Sequence, residues 1–304
     1  RFIIRDHDSV VRHWLRQGAS GWRLDVADEL PDDFIAEIRD AMEQENPDSF
    51  LLGEVWEDGS NKVAYSQRRR YLLGSETHGL MNYPFRTAAL DWLRGGDASC
   101  FRDTMETIRE HYPRPAFYSA LNILGTHDTP RILTLLGAEH VPDTKDARAA
   151  YRLSPKERQK GEARLRVGEM LLYCFPGSPT VYYGDEAGME GFEDPLNRKT
   201  YPWDRQDRAL LDFFRSLGQL RRHRPSLQDG DLTYVYAQGG ALVLRRQLGD
   251  EITVAALNAG ETAVEVSLPW PRDLAREALT FQQFFALGGK LRLRLPPVSG
   301  MILI

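Results

Sequence analysis

The sequence predicts an α/β fold in which parallel strands alternate with helices, followed by a small antiparallel all-β domain. Three observations point there. Short apolar runs ending on an acid recur at Gly21-Trp22-Arg23-Leu24-Asp25, Phe50-Leu51-Leu52-Gly53-Glu54 and Leu121-Asn122-Ile123-Leu124-Gly125-Thr126-His127-Asp128. Stretches of helical period separate them. From about Leu232 the pattern changes to alternating or β-branched runs with Gly and Asn turn signals. Acids carried on successive strand ends are how a parallel α/β barrel builds a reactive rim.

Taken in order, residues 8–17 read as a helix with Val10, Val11, Trp14 and Leu15 apolar, ended by Gly18. Trp22–Val26 reads as a strand, and Pro31 opens a second helix whose apolar face is Phe34, Ile35, Ile38 and Met42. Along a strand, residues two apart share a face, so Arg23 and Asp25 point the same way. Phe50–Gly53 is the next strand, and the stretch from roughly 60 to 73 reads as a helix. His78–Met81 is a strand; helical patterns cover Phe85–Leu93 and Phe101–His111. Ala120–Leu124 is a strand, followed by helices over Pro130–Leu136 and Glu162–Tyr173. Thr180–Tyr183 is a strand in which Tyr182 and Tyr183 read as packing residues, and Arg208–Arg222 is a helix. In the all-β part, strands are expected at Thr233–Tyr236, Ala241–Arg246, Ile252–Leu257, Ala263–Leu268 and Leu291–Leu295, after a linker at His223-Arg224-Pro225. The division falls between residues 1–225 and 226–304. Only five strand–helix units precede it, and a closed barrel has eight. Either the fold is another α/β arrangement or the chain opens partway through a barrel.

Composition bounds the partners. The chain has 304 residues, net charge −5, 42% hydrophobic and 27% charged residues, ordinary for a globular protein. No basic run suggests nucleic acid; Arg68-Arg69-Arg70 and Arg221-Arg222 read as solvated helix faces. No run nears the roughly 18 apolar residues of a membrane span. Two cysteines, Cys100 and Cys174, make no disulfide or zinc pattern, which leans toward a reducing, cytoplasmic setting. Asp6-His7-Asp8 has metal-site composition but fits a helix N-terminus better, so no metal and no cofactor is expected.

Singly, each acidic motif has a plain structural reading. Arg23–Asp25 is a strand-end ion pair, Glu54 a rim or capping acid, and His127-Asp128-Thr129-Pro130 a helix entry. Together they resemble the strand-end signatures of the α-amylase family, glycoside hydrolase family 13. The matching segments are Gly21–Ala27, Gly53-Glu54-Val55-Trp56 and Thr126-His127-Asp128-Thr129-Pro130-Arg131. Val181–Met189, Asp194-Pro195-Leu196-Asn197-Arg198 and Pro202-Trp203-Asp204 resemble the region of the eighth barrel strand. That last set, with Glu29 four places after Asp25, looks most like the cyclomaltodextrinase, neopullulanase and maltogenic amylase branch.

The resemblance implies a partial (β/α)8 TIM barrel, strands four to eight with their helices. It implies a retaining glycosidase acting on α-1,4 links in cyclodextrins, pullulan or maltooligosaccharides. Such an enzyme needs two carboxyl groups about 5–5.5 Å apart. The family assigns Asp25 as nucleophile, kept ionised by Arg23, and Glu54 as acid/base, its carboxyl needing burial or neighbouring charge to hold a proton. Asp128 is the third acid, binding ring hydroxyls with His127. Trp56 is placed for sugar stacking, and Asp194 and Arg198 for donor-side contacts, where a simple turn is the alternative; Trp203 is equally open. The family's Asp-x-x-x-Asn-His signature is absent. The expectation is therefore an N-terminally truncated chain, inactive alone, whose open sheet edges favour association or a homodimer. Alternatives are a transglycosylase or α-glucosidase of the same family, or a non-catalytic amylase-like transporter ectodomain.

Overall fold

The structure, a computed structural model, describes residues 1–304. It divides into two compact units, Arg1–Phe85 with Thr104–Asn122 and Arg86–Asp103 with Ile123–Ile304.

In the first unit α1 (Val10–Arg16) buries Val11 and Leu15, and Gly18 after it takes a φ of 103°. β1 (Gly21–Leu24) follows. α2 (Asp32–Glu45) starts beyond Pro31 and buries Ile35, Ile38, Ala41 and Met42, the face its period requires. β2 (Phe50–Gly53) pairs parallel with β1, Leu24 opposite Gly53. A hairpin of β3 (Val63–Ala64) and β4 (Gln67–Arg68) precedes β5 (Gly79–Asn82), which lies parallel to β2 with Leu52 opposite Gly79. Every residue of β5 is buried, as a strand covered on both faces must be. The chain then passes through α3 (Tyr83–Leu93) and α4 (Ala98–His111), of which residues 86–103 belong to the second unit, and α5 (Arg114–Tyr118) to β6 (Leu121–Ile123), parallel to β5 with Met81 opposite Leu121. These helical crossovers are what parallel neighbours need.

The second unit continues with α6 (Ile132–Gly137), α7 (Lys145–Ala150), α8 (Pro155–Cys174), β7 (Ser178–Thr180), α9 (Arg208–His223) and α10 (Pro225–Gln228). α8 starts in a capping box, the Ser154 hydroxyl accepting from Glu157 N–H and the Glu157 carboxylate from Ser154 N–H. α6 and α8 touch backbone to backbone: a Cβ on Gly161 would stand 3.0 Å from the Gly137 Cα.

The all-β part has β8 (Asp231–Gln238), β9 (Ala241–Leu248), β10 (Glu251–Asn258), β11 (Val264–Pro269), β12 (Leu274–Arg276), β13 (Gln283–Phe285), β14 (Lys290–Leu295) and β15 (Ser299–Leu303). Sheet order is β15-β10-β9-β8, with β11–β14 and β12–β13 as antiparallel pairs. β14 alternates exposed and buried along its length. Its Leu291, Leu293 and Leu295 meet Val243, Val254, Val266, Leu268 and Trp270 in one core, each such side chain contributing about 1.5–3 kcal/mol by burial. The fold is a partial (β/α)8 barrel followed by an antiparallel C-terminal module.

Some expectations give way. Residues 60–73 form no helix; the β3–β4 hairpin stands there, turned through Tyr65 and Ser66 at φ 52° and 63°. Such a turn wants positive φ at both centres, usually announced by Asn-Gly, and the sequence lacks that signal. Arg69 is not solvated. It is 6% exposed, donating to Asp32 at 2.5 Å and to the Asp28 carbonyl at 2.7 Å, and also to the Ala27 and Leu30 carbonyls. Arg221 likewise donates to the Tyr173, Phe175 and Gly177 carbonyls. His223-Arg224-Pro225 is no linker; it joins α9 to α10 with Arg224 donating to Ile252 O at 2.7 Å. β1 ends at Leu24, leaving Asp25 and Val26 in the turn beyond it.

Behind the hairpin Glu76 is fully buried, its carboxylate oxygens without a hydrogen bond and Arg70 Nε 3.5 Å away. Burial first, then the Asp32 charge, pushes its carboxyl up from 4.5 to about 7, against the pull of Arg70 and Arg69. A folded value above the unfolded one means this contribution is full below the unfolded value and lost as pH rises through about 7. Glu76→Gln should therefore gain a few degrees of Tm relative to the parent protein between about pH 5 and about pH 8. A Tm difference flat across that range in calorimetry would refute it.

Candidate active site

Parallel pairing of β1 with β2 brings their carboxyl ends side by side. Arg23, on β1, holds both acids: its Nη1 is 2.5 Å from Asp25 Oδ1 and its Nη2 2.8 Å from Glu54 Oε2. The second contact is an ion pair without hydrogen-bond alignment. The two carboxyl groups thus lie against neighbouring nitrogens of one guanidinium. Their settings differ: the Asp25 side chain is 72% exposed and the Glu54 side chain 5%. Glu54 accepts further from Val26 N–H at 2.9 Å and Trp56 Nε1 at 3.0 Å. Trp56 is half exposed and stacks on Tyr83, ring centres 4.4 Å apart and planes 13° from parallel.

The backbone fixes this arrangement. Glu54 N–H donates to Leu24 O at 3.0 Å and Ala27 N–H to Glu54 O at 3.1 Å. Between Asp25 and Ala27, Val26 is forced to φ 43°, a left-handed conformation that costs a β-branched residue about 1–3 kcal/mol. The turn is tied down behind by Tyr71, whose hydroxyl donates to Asp28 at 2.6 Å, and by Lys62 at 3.0 Å from the same carboxylate. A cavity of about 690 Å³ opens alongside, with Glu29, Asp33, Tyr65 and Arg68 in its wall; Tyr65 donates its hydroxyl to Glu29.

In the second unit, the turn after β6 presents His127 and Asp128. His127 Nε2 is 3.2 Å from Asp128 Oδ2, and Arg198 Nη2 is 3.5 Å from Asp128 Oδ1. Arg198 Nε is 3.1 Å from Asp194. Thr126 and Thr129 close the turn, Thr126 N–H donating to Thr129 Oγ1 at 3.1 Å. Beneath lies Arg131, its side chain wholly buried, 3.0 Å from Asp185 and donating to the Tyr183 carbonyl. Tyr182 and Tyr183 are not strand residues, since β7 stops at Thr180. Their rings cover the Arg131 guanidinium at 4.2 and 4.6 Å, a cation–π arrangement that suits a dry arginine. Burial pushes Asp185 up to about 7, opposed by Arg131. Burial also raises Glu169 well above its ordinary range, with Asp185 and Glu186 adding to it.

Arg23, Asp25, Glu54 and Trp56 therefore stand together in the first unit, and His127, Asp128, Asp194 and Arg198 together in the second. Trp203 is 74% exposed, its ring 4.7 Å from Tyr201. Asp6 pairs with Arg1 and the His7 carbonyl accepts from Arg16. No helix is long and apolar enough to cross a membrane. Tyr83, Arg131 and Asn197 were not singled out from the sequence, although Arg131 and Asn197 lie inside motifs that were.

Residues 3–228 match the family model described as alpha amylase, catalytic domain. The chain belongs to the alpha-amylase family. It is 32% identical to an amylopullulanase of Thermoanaerobacterium saccharolyticum over 100% of its own length and 25% of that protein's. It is 33% identical to a cyclomaltodextrinase of Geobacillus thermopakistaniensis over 95% of its length and 45% of the relative's. Among solved structures, an alpha-amylase from Geobacillus thermoleovorans complexed with acarbose superposes with a TM-score of 0.79 at 27% identity, covering 96% of this chain and 61% of that one. The chain thus spans a quarter to three-fifths of the lengths of these family members.

Gly125, between β6 and Asp128, has no room for a side chain: a Cβ would sit 2.3 Å from Asp185 Oδ2. That carboxylate is buried and held by Arg131, so it cannot step aside. Gly125→Ala should lower unfolding stability by about 1–3 kcal/mol, measured by urea titration; a loss within error would show that Asp185 moves freely.

Proposed function

We propose that the protein is a retaining glycoside hydrolase acting on α-1,4-glucans such as cyclodextrins, pullulan and maltooligosaccharides. The observation that carries this reading is the single Arg23 guanidinium holding Asp25 and Glu54 at adjacent strand ends. Double displacement needs two neighbouring carboxyl groups, one to attack carbon and one to pass a proton. Asp25 is the nucleophile, exposed toward solvent and charge-paired. Glu54 is the acid/base, buried beside Val55 and oriented by Trp56 Nε1. Asp128 and His127 take ring hydroxyls of the sugar as it flattens toward the transition state, where such contacts strengthen. Trp56 stacks on a sugar ring, and Asp194 and Arg198 bind the donor side. The catalytic part is assigned to residues 1–225 and the all-β module to 226–304. Family members named for pullulan and cyclodextrin, and a relative that holds acarbose, support the substrate class.

The reaction balances without a cofactor. The Asp25 carboxylate forms an ester to the anomeric carbon as the glycosidic bond breaks, and Glu54 protonates the leaving oxygen. Glu54 then takes a proton from water, which cleaves the ester.

The test is covalent. A fluorinated glucosyl fluoride that traps the intermediate should add one sugar mass to the peptide containing Asp25. Glu54→Gln should lower kcat on maltotriose by about 10²–10⁴-fold, while single-turnover fluoride release from a glucosyl fluoride, a leaving group that needs no acid, is largely spared. Labelling elsewhere, or single-turnover fluoride release slowed as much as maltotriose cleavage, would overturn the assignment. Product analysis on maltotriose separates hydrolysis from glycosyl transfer.

A further inference from the structure

Asp194 and Arg198 lie on the segment Gly191–Arg198, which has neither helix nor strand to hold it. Asn197 does the holding. Its side chain is completely buried, and its one amide nitrogen donates twice, to His127 O at 2.7 Å and Thr129 O at 2.8 Å. From beneath, Arg131 donates Nε to the Asn197 carbonyl at 2.7 Å. At the other end of the segment, Arg131 N–H donates to Gly191 O and Gly191 N–H to Thr134 Oγ1, each at 2.9 Å. Both ends are thus tied to the chain that carries Asp128.

The geometry points to Asn197 as a positioning residue that sets Arg198 and Asp194 in register with Asp128, so that one sugar of an α-glucan meets the three as a fixed set. The inference rests on the glucan reading above. The side-chain chemistry is selective. Two carbonyls converge on one nitrogen, so the position demands two donors from a short side chain. Aspartate, the same shape, would turn an acceptor toward both carbonyls. Serine offers one donor of the two. Leaving buried carbonyls unpaired is costly enough to release the segment, and Arg198, the next residue, moves with it.

The experiment compares Asn197→Asp, Asn197→Ser and Arg198→Ala, singly and combined. On maltotriose, Asn197→Asp should raise KM on the order of tenfold with kcat much less affected, as displaced binding groups do, and Asn197→Ser should fall between it and the parent. Adding Asn197→Asp to Arg198→Ala should raise KM by less than Asn197→Asp does in the parent, because part of its effect runs through Arg198. A lowered Tm with unchanged KM, or additive KM effects, would overturn the inference. Hydrogen exchange supplies an arm independent of turnover: amides of Gly191–Arg198 should exchange about tenfold faster or more in Asn197→Asp and less so in Asn197→Ser. Unchanged exchange would refute the staple itself. A chain inactive on maltotriose, cyclodextrin and pullulan alike would agree with the inactivity expected of it alone, and the exchange result would then judge Asn197.

Discussion

Two carboxylates at neighbouring strand ends repel, and a cation between them offsets that repulsion. Arg23 is that cation, with Nη1 on Asp25 and Nη2 on Glu54. Much of the local chain serves this contact. The register that sets Leu24 opposite Gly53 lets Glu54 N–H reach Leu24 O. The left-handed Val26 turns its own N–H onto Glu54. Arg23 and the left-handed turn thus act on the same nearly buried carboxyl, one through its guanidinium and the other through the Val26 N–H.

The same device recurs where loops rather than ladders must be held. Arg69 gathers the carbonyls of the turn after β1, Arg131 those of the segments around Asp128, and Arg246 those of Cys174 and Gly230. Rim loops carry the candidate site side chains and have few backbone hydrogen bonds of their own, yet their buried carbonyls need donors. A guanidinium supplies several in one plane. Replacing it with lysine would keep charge and lose the fork.

These arginines also explain what could and could not be read along the chain. Strands and helices were legible where the apolar pattern is plain: α2, α9 and β14 follow their apolar spacing, and β10 reads as a continuous apolar run. The acids at 25, 54 and 128 were legible because each closes an apolar run. The β3–β4 hairpin was not, because Tyr65 and Ser66 give no turn signal and their conformation is imposed by Arg69, Tyr71 and Lys62 reaching back to the turn that ends in Asp32. Nor was the role of Tyr182 and Tyr183, whose rings cover a guanidinium from a position that reads as plain strand. A long charged residue looks like surface until its partners are known, and those partners lie far away along the chain.

Titration behaviour alone would have misplaced the chemistry. Among the carboxyls raised most are Glu76, Asp185 and Glu169, and in each the first cause is burial. Perturbed acids often mark active sites, but a useful catalytic acid must also meet a substrate. Glu169 and Asp185 are almost wholly enclosed, Asp185 against Arg131 and under Gly125. Glu76 is shut behind the hairpin. They belong to the frame: neutral or paired acids filling space beneath the strand ends, where their shifts measure dryness. What distinguishes Asp25 and Glu54 is the geometry of approach, one side chain open to solvent and one sheltered by an indole, both on a single guanidinium at the end of a parallel pair. On the reading proposed above, the arrangement of donors locates the reaction, and burial locates the scaffold that keeps them there.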